Sequence, residues 1–439
     1  MSRIQELIKE KCPNGVEYKS IKDIFDLFSG MTGVSNKWSD TGNCKFIDYM
    51  NVYRNNKIDV NLKCNATVKN LNQTTLKKGD ILLTSASETA DECAISSVVE
   101  SEIEDETFMD DHLFGLRLKN DYSNKINTTF INYYFSSKIF RNKLYKAVRG
   151  VTRFYVSNKD FIKLLIPIPP LEVQEEIVRI LDKFGELEAE LEAELEARQS
   201  QYEFWRGKLC GDNKKIYKKL KFKEFATIQR GGNFQKKDYV EKGYPCIHYG
   251  QIYTHFGPHT DKVVSYLSKD IYDKQKKAHK NDVIMAVTSE NYEDVCKSVA
   301  WTGKEDVAVS GHSAIISSNQ NGKFLSYYFN SSVFQKEKLK YARGVKVIEF
   351  SPEKLNEIEI ALPPVEVQNR IVEVLDKFDT ICHDFGIGLP AEKKLRQQQY
   401  EYYRDMLLTF ADSNEIILQT DRQTDRQTDR QTDRQTSDN

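Results

Sequence analysis

Few residues in this chain have both the type and the spacing to do chemistry, and most of those are basic. Arg-Gly-Val is written twice, as Arg149-Gly150-Val151 within VRGVTR and as Arg343-Gly344-Val345 within ARGVK. A glycine beside an arginine lets the backbone turn while the guanidinium reaches a phosphate or a guanine edge. Arg149, Arg153, Arg343 and Lys346 are therefore candidate nucleic-acid contacts. For the shared pair, Arg149 and Arg343, a scaffold role stands equally open. A residue that reads sequence has reason to differ between two copies, and one that holds the fold has reason to be kept. IQRGGNFQKK supplies a second group, Arg230, Asn233, Gln235, Lys236 and Lys237, with the amide-rich character of a base-reading loop. Its counterpart FSGMTGVSNKW is sparser. His255 and His259 in HFGPH have ligand spacing, but no neighbouring Cys or third His completes a set, and no metal site is expected. Ser87-Glu88 and Ser289-Glu290 recur after strand-like runs, where a turn or helix cap is the ordinary reading. Phosphate-binding GxxxxGK[ST] and GxGxxG loops, HExxH, GxSxG, an Asn-Pro-Pro-aromatic tetrapeptide and a Pro-Asp…Glu-x-Lys signature are all missing, so no catalytic residue is assigned.

The elements that must position these residues are themselves duplicated. PPLEVQEEIVRILDKF (169–184) returns as PPVEVQNRIVEVLDKF (363–378), with 11 of 16 positions identical. Tyr133-Tyr134-Phe135 matches Tyr327-Tyr328-Phe329, and Tyr49-Met50-Asn51-Val52-Tyr53 faces Tyr249-Gly250-Gln251-Ile252-Tyr253. Each half has a divergent globular part followed by a well-preserved helical part. The period is far longer than a solenoid repeat, which makes this a duplication of whole domains.

In the first helical part, Val173, Ile177, Phe184, Leu187, Leu191 and Leu195 recur at spacings that place them on one helical stripe. Val367, Ile371 and Phe378 open the second in the same way. A narrow stripe flanked by glutamate suits a helix packed lengthwise on another. FIKLLIPIPP reads as a strand leading into the first helix. In the second copy DFGIGLPAEKK should break the helix and restart it at Pro390. Antiparallel helices in a pseudo-two-fold arrangement are the expected closure.

Charge follows the same division. The net charge of −1 conceals +2 over 1–160, −6 over 161–212, +9 over 213–357 and −4 over 358–412. One acidic run, 91–111, carries nine carboxylates and masks a first domain as basic as the second. Basic globular parts beside acidic helical parts mark a footprint for phosphate. The eight cysteines form no CxxC pair and read as reduced thiols. With no targeting segment and no run long enough to span a membrane, a cytoplasmic protein is expected. LEAELEAELEAR (187–198) writes a four-residue unit three times. TDRQ, written four times from Thr420, has no apolar residue and reads as a disordered tail. Repetition of the tetranucleotide ACAG would encode it in any frame, which suggests a slippage-prone, phase-variable end.

These segments as a set resemble the specificity (S) subunits of type I restriction–modification systems, over residues 1–412. The resemblance rests on the duplicated IPIPPLEVQEEIVRILDKF and IALPPVEVQNRIVEVLDKF, on LEAELEAELEARQSQYEFWRGKL, on GLPAEKKLRQQQYEYYRDMLLTF and on the opening LIKEKCPNGVEYKSIKDI. It implies an α+β protein with two mixed α/β target-recognition domains, 1–160 and 213–357. Two conserved helical spacers, 161–212 and 358–412, would join them ahead of the tail at 413–439. It further implies that each domain reads one half of a bipartite, asymmetric site in double-stranded DNA. The helices would hold two methyltransferase (M) subunits and, with them, restriction (R) subunits. The chain itself would be non-catalytic and without cofactor. S-adenosylmethionine would act in M, and ATP and Mg in R, within a type I restriction endonuclease and adenine-specific methyltransferase. Two rival readings are a stand-alone DNA-modifying enzyme with unrecognised motifs and a coiled-coil scaffold. Basic, aromatic-rich domains speak against the scaffold.

Overall fold

The structure, a computed structural model, describes residues 3–211 and 216–410. The TDRQ repeats lie outside the described residues. The chain divides into two compact units. One comprises Met1–Ala189 with the segment from Leu395 onward, and the other is Glu190–Lys394. Each unit therefore contains one globular domain, part of the helix that follows it, and part of the other helical segment.

The first domain is built on two four-stranded sheets. Leu113–Leu118 lies between Phe25–Ser29 and Ile81–Thr84, with Ser96–Val98 at the edge, all antiparallel. The second sheet orders Val34–Lys37, Cys64–Val68, Cys44–Ile47 and Thr107–Met109, the last two pairing in parallel. Ile81–Thr84 is buried at every position, which is why ILLT carries no polar alternation. The second domain widens both sheets to five strands, one with Val283–Ala286 inside and one with Tyr244–Ile247 inside. In both domains a short antiparallel pair ties the beginning to the end, Glu17–Ser20 with Leu165–Ile168 and Lys219–Lys221 with Glu359–Ala361. The strand expected in FIKLLIPIPP is the partner in the first of these pairs.

Helix Leu171–Cys210 runs unbroken for 40 residues, about 60 Å at 1.5 Å per residue. Its first turns do more than form a seam. Val173 and Ile177 of the expected stripe are fully buried, as is Leu181, with Val178 buried beside them, all within the core of the first domain. Beyond that point the face narrows. Phe184, Leu187 and Leu195 are half-buried and Leu191 is buried. Ile371 is buried and Val367 and Phe378 are half-buried in the second copy, where Val372 and Leu375 widen the face again. The second segment breaks as expected, into Val365–His383 and Leu389–Leu407. The new helix starts one residue before Pro390, whose missing N–H costs nothing in a first turn. Gly388 is required there, because a Cβ would stand 2.4 Å from the Thr380 carbonyl oxygen.

The repeated Pro-Pro-x-Glu-Val-Gln is a latch. Gln174, fully buried, donates through Nε2 to the carbonyls of Pro169 (2.7 Å) and Lys125 (2.9 Å) and accepts from the Asn127 amide (2.8 Å). Asn127 in turn caps helix Thr128–Ser136. Gln368 repeats this, donating to Pro363 O (2.8 Å) and accepting from Asn321 N (3.0 Å), where Asn321 caps Gly322–Phe329. About two turns further along, the Tyr133 hydroxyl donates to Asp182 (2.6 Å) and the Tyr327 hydroxyl to Asp376 (2.7 Å). A lysine completes each pair, Lys57 at 2.9 Å and Lys323 at 2.8 Å. Each helix is thus bound to its domain by a buried glutamine and a part-buried Tyr–Asp–Lys group.

The far ends of the two helical segments pack in the opposite units. In the first unit Phe184 meets Tyr400 and Tyr403, with centroids 6.2 and 5.6 Å apart, and the Asp405 carboxylate accepts the Lys138 amide (2.9 Å). In the second, Lys393 reaches Glu192 (2.7 Å) while the Tyr202 hydroxyl reaches Asp379 (3.2 Å), so the paired helices run in opposite senses there. Arg206 stacks on Tyr202 and Arg404 on Tyr400. Tyr-Glu-aromatic-aromatic-Arg is repeated because both ends make this packing.

Candidate nucleic-acid interface

The Arg-Gly-Val stretches form the same hairpin in both domains. Arg149 bridges Tyr155 and Arg343 bridges Glu349, and strands Phe154–Tyr155 and Ile348–Glu349 pair with Ala86–Ser87 and Thr288–Ser289. Gly150 and Gly344 have φ of 110° and 135°, where a Cβ would meet the Arg153 and Val347 carbonyl oxygens at 2.0 and 1.9 Å. Only glycine fits. The residue after each glycine is displayed in solvent, Val151 at 90 % exposure and Val345 at 96 %.

The two shared arginines are engaged by the fold. Arg343 donates to the carbonyls of Lys340 (2.7 Å) and Ala342 (2.8 Å) in the turn that follows helix Ser332–Lys338, and Arg149 reaches Asp160 (3.1 Å). Arg153 and Lys346, on the tips, are exposed. Arg230 is paired with Glu349 at 2.5 Å. Asn233, Gln235, Lys236 and Lys237 are exposed, and the Gln235 amide is capped by Asp238 (2.8 Å). Gly231 and Gly232 before them serve close approach, since a Cβ would lie 2.1 Å from Ser310 O and 2.3 Å from Gln275 Oε1.

The Ser-Glu repeats mark the loop beside each hairpin. Sequence reasoning missed that a helix cation, half-buried in the first domain and buried in the second, pins this loop. Arg141 donates to the carbonyls of Asp91 (2.5 Å) and Cys93 (2.7 Å), and Lys338 to those of Val295 (2.6 Å) and Glu293 (3.0 Å). Burial pulls the Lys338 ammonium down to about 8. Both loops pass through a left-handed residue, Ala94 (φ 52°) and Cys296 (φ 67°). The only hint in the sequence was two basic residues on otherwise amphipathic helices.

His259 lies 3.3 Å from Asp376, within the helix latch. Among the described residues Asp110, Asp111 and His112 have metal-ligand proximity, but the Lys37 ammonium sits among them, 3.0 Å from Asp110. The protein supplies its own cation there. All eight cysteines are free.

Two basic α/β domains, each latched to a helix and each presenting a rigid hairpin tip, define a paired recognition module. A family model described as the type I restriction modification DNA specificity domain matches twice, over residues 13–197 and 214–392. The chain belongs to that family, as two tandem copies. It is 28 % identical over 302 residues to a putative type I restriction enzyme specificity subunit of Haemophilus influenzae, covering 65 % of this chain and 73 % of that one. It is 32 % identical over 273 residues to a type I restriction enzyme specificity subunit of Escherichia coli, covering 59 % and 66 %. Among solved structures it is similar in fold to the HsdS subunit from Thermoanaerobacter tengcongensis, with TM-score 0.51, 15 % identity and coverage of 90 % and 97 %. A chain solved for complex assembly and conformational transition of the type I R-M system gives TM-score 0.59, 16 % identity and coverage of 91 % and 98 %.

Proposed function

We propose that this chain reads a bipartite, asymmetric site in double-stranded DNA, one half through each domain, and positions two M subunits and the R subunits of a type I complex. Modification and cleavage belong to those partners, with S-adenosylmethionine in M and ATP and Mg in R, and this chain contributes no catalytic group. The observation that carries the reading is the contrast between conserved and divergent parts. The latches, Gln174 with Asn127 and Gln368 with Asn321, repeat nearly atom for atom. The sheets and loops they hold differ, from four strands to five. Two equivalent mounts carrying two different readers suit two different half-sites. Among the described residues no helix is long and apolar enough to cross a membrane, and the cytoplasm, where host DNA lies, is the proposed site of action.

The test is a methylome of cells with and without the gene, followed by exchange of residues 1–160 for those of another such subunit. A bipartite motif in which only one half changes is expected. Loss of both halves together, or a motif that never depended on this gene, would overturn the reading.

A further inference from the structure

A cleft of about 490 Å³ opens on the second domain, beside the hairpin. Its walls are helix Tyr249–Thr254, with Tyr249 and Tyr253, and the turn Thr288–Glu290; Lys236 and Val347 stand at its rim. Thr288 is 6 % exposed, and among the described residues its Oγ1 has no hydrogen-bond partner. A buried hydroxyl left unpaired costs about 1–3 kcal/mol, and here it belongs to a residue that lines the cleft. The backbone around it is held. The Tyr253 hydroxyl donates to the Thr288 carbonyl, and strand Thr288–Ser289 is paired to the hairpin.

The first domain keeps the frame and changes this group. Tyr49 and Tyr53 stand for Tyr249 and Tyr253, and Ser87-Glu88 for Ser289-Glu290, while Ala86 occupies the place of Thr288. The carbonyl of Ala86 also accepts a tyrosine hydroxyl, here from Tyr49 (3.2 Å), while Tyr53 donates to Glu92 (2.7 Å). One position thus carries an unpaired hydroxyl in one domain and a methyl in the other, in each case beside two tyrosines. Aromatic walls suit a nucleobase, and an exposed lysine at the rim suits the phosphates beside it.

We infer that this cleft receives the edge of a nucleobase of the second domain's half-site and that Thr288 Oγ1 hydrogen-bonds to it, with Ala86 at the matching position of the first domain. The inference rests on the two-reader function proposed above. It is tested with the full chain assembled with its M partner, comparing wild type, Thr288→Val, Thr288→Ser and Ala86→Thr. The probes are duplexes in which each base pair of the methylated motif is replaced singly. Thr288→Val should reduce discrimination at one base pair of one half-site by about 5- to 10-fold. Thr288→Ser should retain it, and Ala86→Thr should alter only the other half-site. Because Val removes an unpaired hydroxyl and keeps the shape, its melting temperature should be unchanged or higher, so lost selectivity cannot be assigned to unfolding. Wild-type preference at every position in Thr288→Val, while a domain exchange still moves a half-site, refutes the cleft and leaves the two-reader function standing. Uniform weakening at all positions refutes base contact in favour of backbone contact. Absence of any sequence preference in the wild-type complex sinks the two-reader function itself, and the cleft with it.

Discussion

Replacing Asp376 by Asn tests what holds the second domain on its helix. The Asp376 carboxylate accepts from the Tyr327 hydroxyl at 2.7 Å and from the Lys323 ammonium at 2.8 Å, with His259 Nε2 at 3.3 Å. A hydrogen bond to a charged group contributes about 1.5–3 kcal/mol, less where water screens it, and this carboxylate is 30 % exposed. Asparagine can still accept the Tyr327 proton but no longer opposes Lys323. The expected loss is therefore about 2 kcal/mol, or roughly 4–8 °C in the melting of a unit this size. Burial by itself would raise the Asp376 pKa; hydrogen bonds from His259, Lys323 and Tyr327 overcome it and hold the carboxyl well below its ordinary 3.8. A carboxyl depressed in the folded state stabilises fully above its unfolded pKa and loses that contribution as pH falls through the folded value. The gap between wild type and Asp376→Asn should narrow by about 1 kcal/mol between about pH 5 and pH 3. Urea unfolding of the full chain, followed across pH with hydrogen exchange on Gly322–Phe329 and Val365–His383, reads both quantities. A gap below about 0.5 kcal/mol at pH 7, or one equally wide at pH 3, would refute the reasoning.

Gly344→Ala should collapse the hairpin tip and weaken DNA binding, as a Cβ there meets Val347 O at 1.9 Å; binding isotherms on the M-bound chain check this. Lys346→Ala should weaken binding across all sequences and lower the salt slope by about one, whereas Arg343→Ala, which frees the carbonyls of Lys340 and Ala342, should lower the melting temperature as well. Lys338→Met strands the carbonyls of Glu293 and Val295, costing about 2–3 kcal/mol and speeding amide exchange in the loop they anchor. Deleting one four-residue unit of the Leu187–Arg198 array shortens helix Leu171–Cys210 by about 6 Å and turns it by about 40°; the motif's spacer should shrink by one to two base pairs, read from the methylome.

The sequence by itself determined the duplication, the helical segments and the break before Pro390. Each is a local matter of periodicity, proline and glycine chemistry, or direct repetition, and those signals survive without knowledge of the fold. It also showed which domains are basic, because charge sums do not depend on geometry. Which basic residues are free was decided only by tertiary structure. Arg149 and Arg343 are open to a phosphate or a scaffold role in the chain, and the fold gives Arg149 the Asp160 carboxylate and Arg343 the carbonyls of Lys340 and Ala342. Lys338 looks exposed and is 1 % so. The repetition of Gln174 and Gln368 is visible in the chain, but only the tertiary structure closes the carbonyls of Pro169 and Pro363 and the amides of Asn127 and Asn321 on them. The cleft was illegible for the same reason. Thr288, Tyr253 and Val347 are far apart along the chain, and a hydroxyl is known to lack a partner only when every neighbour that could have supplied one is in place.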